Sequence, residues 1–358
     1  MAVSQRSWVT SMESNAPGGW CLETQGNGEG AMPDWVQPKG KVVGRLAPSP
    51  TGAQHIGNAR TYLIAWLSAR RQGGEVRLRI EDIDSPRVKA GAAELVVEDL
   101  RWLGLDWDGP IVVQSQRMAW YREALGRLQQ QELVYPCTCS RSDIAWAASA
   151  PHAEHEGPVY PRTCAGRRVA DAGHLQQQGQ PYAWRFRVRY TPALVDRFVG
   201  ELHLNLQQMG GDFVVWKNND TPAYQLAVVV DDAALEISEV VRGDDLIPST
   251  PRQLLVYEAL GWSPPAFAHV PLVVGPDGRR LAKRHGDTRL IHLRQAGVRP
   301  EALVGLLAWS CGWLDRIEPV RVQELLPLFR WETIPRQPFV LQREHLKAIG
   351  YQDEERLS

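Results

Sequence analysis

The sequence predicts an α/β protein built on a doubly wound parallel sheet, with an irregular insertion and a short helical C-terminal region. From about Lys41, short apolar runs of strand character alternate with stretches at helical spacing, the pattern of strand–helix–strand units. A stretch carrying three cysteines breaks that alternation, and from Thr288 onward the spacing is mostly helical.

Residues 1–40 carry Gly18, Gly19, Gly26, Gly28 and Gly30 among Ser, Asn and Pro without a helical or strand period, so a disordered extension is expected. Met12 and Met32 lie inside it, which makes a start assigned too early the alternative. The first half of the sheet domain, 41–134, opens with a strand over Val42–Ala47, a loop over Pro48–Gly52 and a helix over Gly57–Arg71. A second strand, Val76–Ile80, runs into Glu81-Asp82-Ile83-Asp84, and helices are expected over Ala92–Leu103 and Arg117–Leu133. The period is lost at Pro136, so 135–210 is expected to be an insertion, with strand-like runs at Trp184–Val188 and Leu202–Leu206. The second half, 211–290, resumes the sheet through Phe213–Trp216, Gln225–Val230 and Glu239–Val241. In 291–358, Leu303, Leu306, Leu307 and Trp309 are spaced as one buried helix face. Strands and helices alternating in this way form a Rossmann-type sheet, whose ligands sit beyond the carboxyl ends of the strands.

The chain has 358 residues, with 40 Lys plus Arg against 41 Asp plus Glu and a net charge of −1. This balance excludes a globally basic nucleic-acid coat and makes any contact with nucleic acid local. No apolar run reaches the roughly 18–20 residues of a membrane span, and the N-terminal stretch lacks the basic-then-apolar order of a secretory leader. A cytoplasmic protein with no membrane partner is expected. Five cysteines are too few for a disulfide scaffold. Cys137, Cys139 and Cys164 fall in one short segment, which in a reducing compartment points to a metal; Cys21 and Cys311 read as plain thiols.

Two loops have the features of a phosphate site. His55-Ile56-Gly57-Asn58 follows the first strand and puts a glycine where a backbone approaches a ligand closely. His55 and Asn58 can donate to phosphate oxygens there, beside a helix N-terminus worth about half a positive charge. On spacing alone, a capped helix start reads equally well. The run Gly278-Arg279-Arg280-Leu281-Ala282-Lys283-Arg284-His285-Gly286 concentrates cations between glycines, which suits a loop closing over polyphosphate; a solvated basic turn is the plainer alternative. Asp231-Asp232 and Asp244-Asp245 are read as ion-pair or capping residues, and Trp66, Trp102, Trp309 and Trp313 as packing.

Together with the stretches between them, these segments resemble the class I aminoacyl-tRNA synthetases of the glutamyl type over about Val42–Trp313. Arg45-Leu46-Ala47-Pro48-Ser49-Pro50-Thr51-Gly52, followed by His55-Ile56-Gly57-Asn58, looks like that group's opening and its HIGH element, with Asn58 in place of the last His. Arg280-Leu281-Ala282-Lys283-Arg284 looks like the KMSKS element with Ala282 in place of Ser, and Arg79–Asp84 and Val241–Leu246 are also similar to that group. Four such motifs in order are highly specific. The resemblance is closest to the short branch that lacks a helical anticodon-binding domain and loads glutamate onto the queuosine base of tRNA(Asp). Only about 45 residues follow Trp313, and Tyr224–Ala233 is similar to the short enzymes.

The resemblance implies tRNA-independent activation of L-glutamate by ATP with Mg2+, then transfer of glutamate to queuosine in tRNA(Asp). It implies His55 and Lys283 as charge stabilisers, with Gly57 and Asn58 also on ATP. Arg45 and Arg242 would take a carboxylate and Glu81 the ammonium, with Ser49 and Tyr224 completing the pocket. Ala282 is expected to weaken loop anchoring. A monomer is expected. A shortened glutamyl-tRNA synthetase charging a tRNA 3′ end, or an inactive paralogue that only binds tRNA or ATP, are the alternatives. A structural zinc on the three cysteines needs a fourth ligand. Ligand chemistry alone favours His152 or His155, whereas the short enzymes carry a Tyr four residues before the last Cys, matching Tyr160 and giving the set Cys137, Cys139, Tyr160 and Cys164.

Overall fold

The structure is a computed structural model that describes residues 40–50, 53–83, 88, 91–140, 143, 159–279, 281 and 288–351. The expected disordered extension, Lys283 and both insertion histidines lie outside the described residues. In chain order the first elements are β1 (Val43–Leu46), α1 (Ile56–Arg71), β2 (Glu75–Ile80), α2 (Ala92–Trp102), β3 (Val112–Val113) and α3 (Met118–Gln130). The middle of the chain holds β4 (Val134–Cys137), α4 (Asp171–Gln177), β5 (Ala183–Phe186), β6 (Leu194–Asp196), β7 (Gly200–Leu202) and β8 (Phe213–Trp216). Then come α5 (Tyr224–Ala234), β9 (Glu239–Gly243), α6 (Ser249–Leu260), β10 (Ala266–Val270), β11 (Val273–Val274), α7 (Leu290–Gln295), α8 (Pro300–Ser310), β12 (Phe339–Val340) and α9 (Arg343–Ala348). Among the described residues no helix is long and apolar enough to cross a membrane.

The central sheet is parallel. β2 pairs with β1 on one side and β3 on the other, and β9 pairs with β10. Val43 turns its N–H to Ser238 Oγ and its carbonyl to the Ser238 N–H, both at 2.9 Å, so β9 lies along the edge of β1 away from β2. Side chains alternate between faces of a strand, and neighbouring residues here enter different cores. Leu46, Val76, Leu78, Val241 and Ala268 pack with α1 on one face, while Val240 and Phe267 pack with α3, α5 and α6 on the other. Helices therefore cover both faces, as a doubly wound sheet requires.

Several expectations need correction. The run Gln225–Val230, read as a strand, belongs to α5, where every residue from Leu226 to Asp232 is buried. A helix buried all round has no amphipathic period, and its Val-rich stretch looks like a buried strand. Phe213–Trp216 does not resume the parallel sheet: as β8 it pairs antiparallel with β5, which pairs antiparallel with β4. The run at Leu202 ends there as β7, paired with β6, and Asn205 Oδ1 then accepts from the Gln207 N–H to form a turn. The helix expected from Arg117 starts at Met118, after a single 3-10 turn over Gln114–Arg117. The C-terminal region is not helical throughout, because β12 pairs parallel with β11.

Gly305 on α8 is placed by a close approach. A Cβ there would lie 1.8 Å from the carbonyl oxygen of Glu318, a backbone atom that cannot rotate away. Overpacking of this kind costs about 3 kcal/mol, so Gly305→Ala is expected to lower the melting temperature by roughly 4 °C. A calorimetric or fluorescence melt unchanged within error would show that the 318–320 segment moves off the helix freely.

Candidate active site

The loop between β1 and α1 ends in a reciprocal cap. His55 is the N-cap of α1: its Nδ1 accepts from the N–H of Gly57 at 3.0 Å and of Asn58 at 3.4 Å, and Asn58 Oδ1 accepts from the His55 N–H at 3.2 Å. The capped helix start is therefore present, and it fixes the imidazole chemistry. A ring nitrogen taking two N–H groups must carry the lone pair, so in the neutral ring the proton sits on Nε2 and that edge is the donor. Gly57 makes room for the ring, since a Cβ there would come within 2.9 Å of His55 Cε1. Asn58 thus holds the helix start rather than only duplicating a donor.

The described chain after the basic loop is tied to this region. β11 leads into the loop, and on its far side the Ile56 N–H donates to Thr288 O at 3.0 Å and the Leu290 N–H to Gln54 O at 2.8 Å. His55 and Arg289 form an isolated antiparallel bridge. The residues that follow the basic loop, Thr288–Leu290, therefore lie beside the start of α1.

On the α5–α6 face of the sheet stands a row of basic side chains: Arg79 from β2, Arg45 from β1, Arg242 from β9 and His269 from β10, all buried. Buried cations need partners, and α5 supplies two. Arg79 hydrogen bonds Asp232 through Nη1, and its Nε is 3.8 Å from Asp231 Oδ2. Asp231 also accepts from Arg117 Nε at 2.7 Å, Gln114 Nε2 at 2.8 Å and the Tyr121 hydroxyl at 2.9 Å. Arg45 donates to Val241 O at 3.2 Å; its Nε lies 3.7 Å from Asp232 and has no hydrogen-bond partner. Burial pulls the Arg45 pKa below its ordinary value, against the opposing effect of Asp232.

Arg242 differs. Its Nε donates to His269 Nε2 at 3.0 Å, Nη2 to Thr250 Oγ1 at 2.8 Å and Nη1 to the Tyr224 hydroxyl at 3.4 Å, while the group lies 5.2 Å from the Phe267 ring centre. All of these partners are neutral, and among the described residues no carboxylate pairs with it. Glu81, at the end of β2, accepts from Arg79 Nη2 at 2.9 Å and from Ser49 Oγ at 3.5 Å. The Tyr224 hydroxyl feels Arg242, Glu81 and Arg45 together. The structure thus gathers Arg45, Ser49, Glu81, Tyr224 and Arg242 at the strand ends. Thr250 and His269 were not foreseen, because a lone Thr or His carries no spacing signal.

The third cluster lies in the insertion. Cys137 at the end of β4, Cys139 and Cys164 bring their sulfurs within 4.8 Å of one another. The Tyr160 hydroxyl is 3.4 Å from Cys137 Sγ and accepts from the Cys164 N–H at 3.0 Å. Cys139 and Cys164 are 3.6 Å apart, close to the ~3.8 Å expected between thiolates on a tetrahedral zinc with ~2.3 Å bonds. Burial opposes ionisation of Cys164, yet donors from Thr138, the Cys139 thiol and the Arg167 charge bring it down to about 7; burial pushes Cys139 up to about 12. The Arg185 guanidinium sits 4.0 Å from the Tyr160 ring centre and donates to Cys137 Sγ at 3.3 Å. Three thiols, a phenol and a neighbouring cation fit one zinc ion.

Comparison with known proteins places the chain in a family. Residues 41–348 match the family model of the class I tRNA synthetases (E and Q), catalytic domain. The glutamyl-Q tRNA(Asp) synthetase of Rhodopirellula baltica is 51% identical over 324 residues, covering 84% of this chain and 96% of that protein. That of Symbiobacterium thermophilum is 48% identical over 319 residues, covering 86% and 98%. A glutamate tRNA ligase from Elizabethkingia meningosepticum, solved in complex with its amino acid, superposes with a TM-score of 0.74 at 29% identity, covering 86% of this chain and 68% of that one. The chain belongs to the class I tRNA synthetases of the glutamyl and glutaminyl type, on their glutamyl-Q tRNA(Asp) synthetase branch.

Proposed function

We propose that the protein activates L-glutamate with ATP and Mg2+ in the absence of tRNA and transfers the glutamyl group to the queuosine base of tRNA(Asp). The observation that carries the glutamate assignment is Arg242, a buried guanidinium whose described partners are all neutral. A buried cation left unpaired is costly, and an anionic ligand removes that cost. Arg45 stands on the neighbouring strand with an unsatisfied Nε, and Glu81 offers the opposite charge to an ammonium. An acidic amino acid meets that pattern of charges. The acceptor assignment is supported by the two relatives that share about half of this sequence, both named for glutamyl-Q tRNA(Asp).

In the first step a glutamate carboxylate oxygen bonds to the α-phosphorus of ATP, the bond to the bridging oxygen breaks, and pyrophosphate leaves with Mg2+. His55, through Nε2–H, and Lys283 stabilise charge growing on the phosphate oxygens. In the second step a hydroxyl of the base attacks the glutamyl carbonyl, loses its proton, and AMP departs. Cys137, Cys139, Tyr160 and Cys164 would hold the zinc; with four ligands closed around it, the ion supplies the shape of the insertion and no step of the chemistry.

Glutamate-dependent exchange between ATP and pyrophosphate is expected with Mg2+ alone, and labelled glutamate should then appear on tRNA that carries queuosine and not on tRNA that lacks it. Strict dependence of exchange on tRNA, or label on the 3′ terminal ribose, would sink the respective half of the proposal. Lys283→Ala should slow exchange by roughly a hundredfold or more, because a cation facing developing charge in a dry site is worth that much; an unchanged rate removes the basic loop from catalysis. Cys139→Ser should lower zinc content below one ion per chain and impair transfer to tRNA more than exchange. Metal analysis finding no zinc in the wild-type protein, with all three thiols free to titrate, would overturn the metal assignment.

A further inference from the structure

Arg242 is held in place without being neutralised, and the way this is achieved points past the pocket itself. Behind the guanidinium, His269 Nδ1 lies 2.6 Å from Asp196 Oδ2, and Asp196 also accepts backbone N–H groups from Phe198 and Val199 at 2.9 Å. Both side chains are buried. The Arg242 Nε–H points at His269 Nε2, so that nitrogen must present its lone pair and the ring proton must sit on Nδ1, toward Asp196. The Thr250 hydroxyl, 3.1 Å from the same Nε2, accepts from Arg242 Nη2. Burial holds the imidazole below its ordinary pKa, against the pull of Asp196, which keeps the ring neutral.

We infer that Asp196 and His269 are positioning residues for the glutamate carboxylate: the imidazole, fixed by Asp196 in its Nδ1–H tautomer, orients Arg242 while leaving its positive charge for the substrate. A carboxylate in direct contact would orient the guanidinium equally well but would also cancel its charge, and the site would lose its attraction for an anion. Interposing a neutral acceptor separates the two tasks. The β9–β10 register makes this possible, because Arg242 and His269 are directly paired positions.

The inference rests on the assignment of Arg242 to glutamate, and the test separates the two. In His269→Gln the side-chain amide oxygen reaches the place of Nε2 and still accepts from Arg242. In His269→Asn the amide reaches only the place of Nδ1, keeping Asp196 as a partner but leaving Arg242 Nε without an acceptor. Measured by ATP–pyrophosphate exchange, His269→Asn is expected to raise KM for glutamate about tenfold or more with KM for ATP unchanged, while His269→Gln stays within about threefold of wild type. Asp196→Asn should follow His269→Asn, because an amide N–H facing Nδ1 turns the ring proton toward Arg242. Equal glutamate KM values for the Asn and Gln variants overturn the inference, since a purely structural role makes no such distinction. If Arg242→Gln itself leaves glutamate KM unchanged, the assignment of Arg242 fails and takes this inference with it. If it raises KM and His269→Asn does not, only the inference fails. Should the variants not fold, histidine ring nitrogen shifts in the wild-type protein decide: the His269 proton on Nδ1 supports the inference, and on Nε2 overturns it.

Discussion

A parallel sheet that turns arginines from three strands and a histidine from a fourth toward one covering layer has to answer their charge, and most of what lies on that face does so. The opposite face of the same strands is apolar and packs on α1 in the ordinary way. On the basic face, the apolar packing of Val240 and Phe267 is not enough: an unpaired cation there costs several kcal/mol even after relaxation. α5 therefore carries two consecutive carboxylates at its most buried end, Asp231 and Asp232, and both are engaged by arginine. Their part is to let the row exist. What remains once they are satisfied is Arg242, whose described partners are all neutral.

The same constraint explains which parts of the molecule could be read from the sequence. β1, α1, β2 and β9 are mostly apolar where they are buried, and their places follow from alternation or helical spacing within a residue or two. α5 does not, because it is buried on every side and includes two charged residues whose partners come from other elements. β8 has a strand's composition, but composition cannot say which sheet it joins; only its hydrogen bonds to β5 place it in the insertion. At the site, the motif residues Arg45, Glu81, Tyr224 and Arg242 converge because each sits near the end of a strand or at the start of a helix, and Ser49 joins them from the loop after β1. His269 and Asp196 were illegible for a different reason. They act on Arg242 through register and tertiary contact, 27 and 46 residues away, and neither has a neighbour in sequence that marks it. Lys283 and the insertion histidines fall outside the described residues.

His55 and His269 make an instructive pair. Both are neutral imidazoles whose tautomer is set by the group on one ring nitrogen, and they are set in opposite senses. Backbone N–H groups take the lone pair of His55 Nδ1 and leave a donor on Nε2; a carboxylate accepts from His269 Nδ1–H and leaves Nε2 as an acceptor. One ring can thus offer hydrogen to phosphate while the other receives it from a guanidinium. In both cases the partner of Nδ1 decides what Nε2 can do.

The pairing of β12 with β11 gives the last stretch of described chain a place in this arrangement. The Phe339 N–H donates to Leu272 O and the Leu341 N–H to Val274 O, both at 2.9 Å, immediately before the chain enters the basic loop. Phe339, Trp309 and His345 pack as a triangle of rings, with ring centres 6.0, 5.3 and 5.2 Å apart. Residues near 340 therefore serve as an abutment for one foot of a span whose other foot rests on Gln54 and Ile56. The described residues that flank the basic loop are thus each fixed by backbone hydrogen bonds, one side to the C-terminal strand and the other to the start of α1.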